Sequence, residues 1–129
     1  MPTILKALVT VFGRDMALST AFYRDALGLT QTYRFPAEGV PEHVEFDAGG
    51  VTVAVSSDMG LKMHGMPAST PGHPFELGLK IDNVDAAIAE LRAKGVSVLR
   101  EAFDSPAGNR VAYIADPDGN WISLYHNLR

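Results

Sequence analysis

The chain repeats its own pattern of strands, helix and glycines once. Laying Gly28 on Gly95 gives an internal period of about 67 residues, and a helical pattern precedes both glycines. In each half, apolar alternation predicts one strand before the helix and three strands after it. The sequence therefore predicts a single domain, 1–129, built from two βαβββ modules at about 4–57 and 74–127. Neither half can bury its sheet alone, so we expect the modules to pack together or with a partner chain.

The first module begins with a predicted strand over Ile4–Phe12, and Leu8, Thr10 and Phe12 share one of its faces. Asp15 is a candidate N-cap for a helix through about Ala26. The predicted apolar stripe of that helix comprises Leu18, Ala21, Phe22 and Ala26. The remaining predicted strands are Thr30–Phe35, His43–Asp47 and Val51–Ser56.

The segment between the modules, centred on 58–73, is broken by punctuating residues. Ser57 to Pro74 contain three glycines, three prolines, three methionines and two histidines. This composition predicts no regular element. A connection of this length in a small domain is either a linker or a binding loop, and flexible methionines would suit the latter.

The second module repeats the order of the first. Its predicted strand, Phe75–Ile81, places Glu76, Gly78 and Lys80 on the face opposite the apolar residues. The predicted helix, Val84–Lys94, carries an apolar stripe of Val84, Ala87, Ile88 and Leu91. A strand over Val96–Ala102 follows.

The chain closes with a hairpin whose turn is Asp116-Pro117-Asp118-Gly119-Asn120. Beyond the turn, Trp121, Ser123 and Tyr125 share one face, which suits a lined cavity. Ile122 and Leu124 share the other face, which suits a side covered by a helix.

Composition narrows the class of protein. The chain has no cysteine, which excludes disulfides, thiolate zinc sites and cysteine nucleophiles. A net charge of −4 and a pI near 5.4 argue against nucleic acid as the main partner. Apolar runs are only as long as a strand, so no membrane span is predicted, and no signal peptide is evident. We expect a cytoplasmic domain.

The order and spacing of these motifs resemble the vicinal oxygen chelate superfamily, which includes glyoxalase I, extradiol dioxygenases and the bleomycin-resistance proteins. The matching pieces are Asp15-Met16, Ser19-x-x-Phe22-Tyr23, Leu27-Gly28-Leu29, Val84-Asp85-Ala86-Ala87, Leu91-x-x-Lys94-Gly95-Val96 and Asp116–Asn120. The resemblance implies an α+β fold in which two βαβββ modules form a curved mixed sheet around a cleft. Relatives are often dimers, so a homodimer is expected.

The resemblance also implies four positions at which metal-dependent relatives bind a divalent ion. Here they fall on Leu8, on Val53 or Ala54, on Glu76 and on Ser123. Only one is a carboxylate, whereas a catalytic metal needs about three nitrogen or oxygen ligands. We therefore predict no cofactor. The alternative is one divalent metal ion held at other positions, by His43, Glu45 and Glu76.

The sequence thus favours a metal-free protein, similar to the bleomycin-resistance branch, that sequesters an aromatic or amphipathic small molecule and contributes to antibiotic resistance. The predicted ligand-binding residues are Leu8, Thr10, Phe12, His43, Glu45, Val53, Glu76, Trp121, Ser123 and Tyr125. The alternative is a metal-dependent glyoxalase-like lyase, isomerase or dioxygenase in which Glu76 is catalytic. Glu76 could instead be a structural residue paired with Lys80 or Arg110, and the whole domain could serve mainly to dimerise.

Overall fold

The computed structural model describes all residues from 1 to 129. They form two compact units, Met1–Thr70 and Pro71–Arg129. Each unit holds one four-stranded mixed sheet and the helix that packs on it, which confirms the predicted α+β class and the two βαβββ modules. None of the helices is both long and apolar enough to span a bilayer.

Unit 1 carries its sheet in the order β1-β4-β3-β2. The strands are β1 (Leu8–Phe12), β2 (Thr30–Phe35), β3 (His43–Asp47) and β4 (Thr52–Ser56). The first and last strands of the module, β1 and β4, pair in parallel, and the other pairs are antiparallel. A bulge between Gln31 and Tyr33 shifts the register of β2.

One face of this sheet forms the core of unit 1. Val9, Val53 and Phe46 make one row across β1, β4 and β3. Phe46 meets the ring of Tyr23, with centroids 5.9 Å apart, and both are fully buried. This face is therefore the one covered by the helical segment, and the opposite face is open.

The helical segment starts where predicted, since Asp15 accepts a hydrogen bond from the Leu18 amide at 3.1 Å. The segment comprises α1 (Met16–Ala21) and a π-helix (Phe22–Ala26). The predicted stripe is wrong at Leu18, whose side chain is 59% exposed. The buried residues are Met16, Ser19, Thr20, Phe22 and Tyr23. The apolar pattern misled because two hydroxyl residues occupy the sheet-facing side.

The connecting segment contains a regular element that composition did not predict. Helix α2 (Asp58–Met63) follows β4 directly. Gly65, at φ +72°, ends it: the Gly65 amide donates to the Lys62 carbonyl and the Met66 amide to the Leu61 carbonyl. The expectation of no regular element was wrong because Gly60 is accommodated inside the helix and Gly65 only ends it.

Unit 2 carries its sheet in the order β5-β8-β7-β6. The strands are β5 (Leu77–Lys80), β6 (Ser97–Asp104), β7 (Asn109–Ala115) and β8 (Trp121–Asn127). Again the first and last strands, β5 and β8, pair in parallel. Strand β8 therefore lies inside the sheet, between β5 and β7.

Helix α3 (Val84–Ala93) covers one face of that sheet. It begins at Asn83, whose side chain accepts from the Ala86 amide at 3.0 Å. The predicted stripe is confirmed, since Val84, Ile88 and Leu91 are buried. They pack on the sheet face that holds the buried side chains of Leu124, Ile122, Ile114 and Ala112.

Candidate functional site

The open face of unit 2 holds an apolar groove with a volume of about 450 Å³. Its lining residues come from three strands of the sheet and from the residue that precedes β5. They are Glu76, Leu99, Arg100, Phe103, Tyr113 and Trp121. Trp121 and Leu99 are 41% and 50% exposed, which is unusual for side chains of their size that lie together. A concave apolar surface with few polar groups is typical of a small-molecule site.

The turn before β8 fixes the position of Trp121. The Asp116 carboxylate accepts from the amides of Asp118 and Asn120, each at 2.9 Å, and from the Asn120 side chain at 2.8 Å. Gly119 adopts φ +84° in this turn. Because Asp116 is only 6% exposed, its bonds hold the turn firmly and deliver Trp121 opposite Ala115.

Irregularities in β6 bring the other groove residues to this face. Its register against β7 shifts between Val98 and Arg100 and again between Arg100 and Phe103. Arg100 consequently lies opposite Tyr113, and its guanidinium sits 4.2 Å from the centroid of the Phe103 ring. This cation–π contact keeps the charge of Arg100 over the groove wall.

The imidazole of His73 stacks on Trp121. The ring centroids are 4.0 Å apart and the planes differ by 8°. His73 lies just before β5, in the part of the connecting segment that belongs to unit 2. One face of the indole is thus already covered by a ring, which is the kind of contact that an aromatic ligand would make.

Glu76 is exposed at the edge of the groove, and the pairing with Arg110 considered above is absent. Arg110 bonds Asp85 instead, at 2.7 Å, and Asp104 at 2.8 Å, on the edge of the helix-covered face. A second histidine, His126, is used structurally, because its Nδ1 accepts from the Val84 amide at the start of α3.

Two further predicted residues, Ser123 and Tyr125, lie on the open face of unit 2 but do not line the groove. Tyr113 lies opposite Ser123 on one side, and Gly78 lies opposite Ser123 on the other. Ser123 is 8% exposed, and its Oγ would be 3.4 Å from a Cβ built on Gly78. Tyr125, half-buried, lies opposite Val111. That either binds a ligand stays a prediction.

A second cavity, of about 280 Å³, lies on the other side of unit 2 between α3 and β6. Its charged residues are already paired: Arg110 with Asp85, and Arg92 with Glu101. The hydrogen bonds from Arg110 lower the pKa of Asp85 below its ordinary 3.8 and raise the pKa of Arg110. These ion pairs tie the helix to the sheet and leave little polar capacity for a ligand.

The open face of unit 1 brings five of the predicted residues together. Thr10 and Glu45 flank Ala54 in one cross-strand row, and Phe12 and His43 flank Ser56 in the next. Leu8 shares the face by alternation and is 43% exposed. His43 bonds Ser56 and Glu45, and Glu45 also approaches Lys6 at 3.8 Å.

The placement of Val53 was wrong. It is fully buried and lies between Val9 and Phe46 on the helix-covered face. Ala54, the other position considered for that strand, lies on the open face instead. A shift of one residue in the assumed strand phase turns every side chain to the other side of a sheet, which is what happened here.

The residues at the metal positions implied by the resemblance do not fit a metal ion. On the open face of unit 1, the side chains of Leu8 and Ala54 have no nitrogen or oxygen atom that could bind a metal ion. In unit 2, the donors are the Glu76 carboxylate and the nearly buried hydroxyl of Ser123. A catalytic divalent ion needs about three such ligands. Within either unit, no three His, Asp or Glu side chains converge as a metal-binding group, and both nitrogens of His43 are engaged.

Sequence reasoning missed several residues of these two faces. In unit 2 they are Leu99, Arg100, Phe103 and Tyr113, and in unit 1 they are Tyr33, Phe35 and Ser56. Pairing β7 against β8 across the Asp116 turn would have found Tyr113. The bulges that orient Leu99, Arg100 and Phe103 have no glycine or proline to signal them.

Known proteins are similar to this chain in sequence and in fold. The uncharacterized protein YaeR of Escherichia coli (strain K12) is 28% identical over 122 residues, which cover 91% of this chain and 92% of YaeR. A protein of unknown function from Agrobacterium tumefaciens str. C58 has a TM-score of 0.79 at 26% identity, covering 99% of this chain and 98% of its own. A glyoxalase/bleomycin resistance protein/dioxygenase family enzyme from Burkholderia phytofirmans PsJN has a TM-score of 0.81 at 20% identity, covering 94% and 97%.

The family model of this group matches residues 7–124, which is nearly the whole chain and includes the first seven strands, the start of β8 and the groove residues. The chain therefore belongs to the glyoxalase/bleomycin resistance protein/dioxygenase superfamily.

Proposed function

We propose that the protein binds and sequesters a small aromatic or amphipathic molecule in the groove of unit 2, without a metal ion. The observation that carries this proposal is the groove itself, in which Trp121, Tyr113, Phe103 and Leu99 surround about 450 Å³. Aromatic pairs contribute about 1 kcal/mol each beyond the free energy of buried apolar area. A planar guest in contact with two of these rings would gain affinity from both sources.

The charges at the groove favour a cationic guest. Glu76 is exposed at the edge, whereas the guanidinium of Arg100 is already seated on Phe103. The net charge of −4 also raises the local concentration of cations around the protein. Glu76 would therefore pair with a cationic group of the guest, and it serves as a binding residue in this proposal.

This proposal follows the bleomycin-resistance side of the superfamily, in which a toxic compound would be neutralised by capture. The alternative is a metal-dependent lyase, isomerase or dioxygenase that uses Glu76. The donor set at the implied metal positions disfavours the alternative. Ligand contacts by Leu8, Thr10, Phe12, His43 and Glu45, the homodimer and the cytoplasmic location stay predictions.

The chain has a single tryptophan, so the groove contains its own optical probe. We expect the cationic planar dye proflavine to quench Trp121 emission at micromolar concentration, more strongly than the anionic dye anilinonaphthalene sulfonate. Replacing Glu76→Gln should weaken proflavine binding about 2- to 5-fold, as for loss of an exposed ion pair. Glu90→Gln, on the solvent side of α3, is the matched control and should leave the affinity unchanged.

Metal content of protein purified without chelator, with a melting-temperature screen against divalent ions, separates the two functions. We expect substoichiometric metal and no shift with any ion. Near-stoichiometric metal, or a clear shift with one ion, would contradict the metal-free proposal and favour the enzymatic alternative. Absence of quenching by both dyes would remove the groove from consideration.

A further inference from the structure

Three polar side chains on the open face of unit 1 are joined by hydrogen bonds. Ser56 on β4 and His43 on β3 lie directly opposite each other, and Glu45 follows two residues along β3. The Oγ atom of Ser56 is 2.6 Å from Nδ1 of His43, and Nε2 of His43 is 2.8 Å from Oε2 of Glu45. Both distances are those of good hydrogen bonds. A hydroxyl, an imidazole and a carboxylate are thus joined in that order.

The chemistry of the partners sets the direction of these bonds. An ionised carboxylate only accepts hydrogen bonds, so the proton between His43 and Glu45 belongs to Nε2. In the neutral imidazole, Nδ1 then presents its lone pair to Ser56, and the serine hydroxyl donates. The other carboxylate oxygen of Glu45 lies 3.8 Å from Nζ of Lys6. His43 is therefore oriented to remove the proton of Ser56.

Aromatic side chains surround the hydrogen-bonded Ser56, His43 and Glu45 on the same face. Phe35 lies opposite His43, Tyr33 lies opposite Glu45, and Phe12 lies beside Ser56. Tyr33 and Phe35 are both about half exposed, and the Tyr33 ring meets the imidazole edge-on at 6.1 Å. The side chain of His43 is 28% exposed, whereas Ser56 is 9% exposed, so a substrate reaches the serine hydroxyl past His43 and the apolar rim. An ester with an apolar or aromatic acyl group fits such surroundings.

We infer that unit 1 carries a serine acyl-transfer site, with Ser56 as nucleophile, His43 as general base and Glu45 as the residue that positions His43. Oγ of Ser56 bonds to the ester carbonyl carbon while its proton passes to Nδ1 of His43. The bond from carbon to the alcohol oxygen then breaks, and the alcohol leaves with that proton. Water, deprotonated by His43, releases the acid and restores Ser56. None of these three residues lines the unit 2 groove.

A fluorophosphonate probe tests the nucleophile directly in the wild-type protein. Its phosphorus bonds to an activated serine oxygen and fluoride leaves, so intact mass should rise by one adduct. Peptide mapping should place the adduct on Ser56. Ser57→Ala is the matched control, because the neighbouring Ser57 bonds a carboxylate, Glu42, without an imidazole. That variant should be labelled normally, and Ser56→Ala should not be labelled.

Variants of the other two residues test the relay. His43→Gln should lower the maximal labelling rate by at least about 100-fold. Glu45→Gln keeps an acceptor for Nε2 but removes the charge, and should lower the maximal rate at least about tenfold. The probe concentration at half-maximal rate should stay the same, which a merely structural role would not predict. No adduct on wild-type protein, an adduct on another residue, or a Ser56 adduct that forms equally fast in His43→Gln overturns the inference.

Discussion

The ring of His73 shields one face of the only tryptophan, and this contact belongs to the scale of single residues. The ring centroids are 4.0 Å apart, and Trp121 also lines the groove. Replacing His73→Ala should open the covered face. Collisional quenching of Trp121 by acrylamide should then increase. The control is His64→Ala, in the same connecting segment, because His64 has no ring contact to Trp121. This variant should leave quenching unchanged. If emission falls equally steeply with acrylamide concentration in wild type, His73→Ala and His64→Ala, the stack does not persist in solution.

A second single-residue prediction concerns pH. Hydrogen bonds from Arg110 lower the pKa of Asp85 in the folded chain below its unfolded value. A lowered carboxyl pKa stabilises the fold at pH above the unfolded value and ceases to do so as pH falls through the folded value. Arg110→Gln should therefore lower the melting temperature near pH 7, and the difference from wild type should shrink below about pH 4.

The control for this pH effect is Arg24→Gln. Arg24 pairs with its own neighbour Asp25 at 2.8 Å, and both side chains are exposed. Exposed pairs of this kind contribute little to stability. We expect melting temperatures close to wild type across the pH range. A difference between wild type and Arg110→Gln that is constant with pH would contradict the role given to Asp85.

At the scale of elements, replacing glycine by alanine should change the free energy of unfolding in opposite directions at two positions: Gly95→Ala should destabilise the fold and Gly60→Ala should stabilise it. Gly95 ends α3 at φ +83°, where an L side chain costs about 1–2 kcal/mol. Gly60 lies inside α2, has no positive φ, and has ordinary space for a Cβ, whose nearest atom would be the Glu42 carbonyl oxygen at 3.9 Å. Gly60→Ala should stabilise by about 0.5–1 kcal/mol. Urea unfolding of both variants measures the contrast, and equal signs would refute it.

Packing of the helical segment on the unit 1 sheet gives a further element-scale prediction. Phe46 is fully buried against Tyr23, whereas Phe35, on the neighbouring strand, is 51% exposed. Phe46→Ala should destabilise the fold by about 3–5 kcal/mol. Phe35→Ala should change the free energy of unfolding by no more than about 0.5 kcal/mol. Denaturant titrations decide this, and comparable losses would place the unit 1 core elsewhere.

Elements with regular alternation could be predicted from sequence, and their irregular neighbours could not. Trp121, Ser123 and Tyr125 were placed on the correct face because β8 has no bulge. Val53 was misplaced because the phase of β4 depends on where its turn ends, and the two glycines there allow either choice. The bulges in β2 and β6 depend on pairing with distant residues, so the groove residues Leu99 and Phe103 had no local signal.

At the scale of the whole molecule, the resemblance predicts a homodimer. Sedimentation at micromolar concentration should give twice the chain mass of 13.9 kDa. A mass of one chain under those conditions would contradict the homodimer. It would also contradict the alternative that the domain serves mainly to dimerise.

The interior position of β8 has a consequence for how the chain is made. Strand β5 is synthesised about 40 residues before the strand it pairs with, which at typical ribosomal rates is a delay of a few seconds. Unit 2 therefore cannot complete its sheet until β8 has left the ribosome. A chain that ended at Asn120 would lack β8, which is the partner of both β5 and β7. Loss of the seven residues of β8 should thus be far more damaging than the length of that strand suggests.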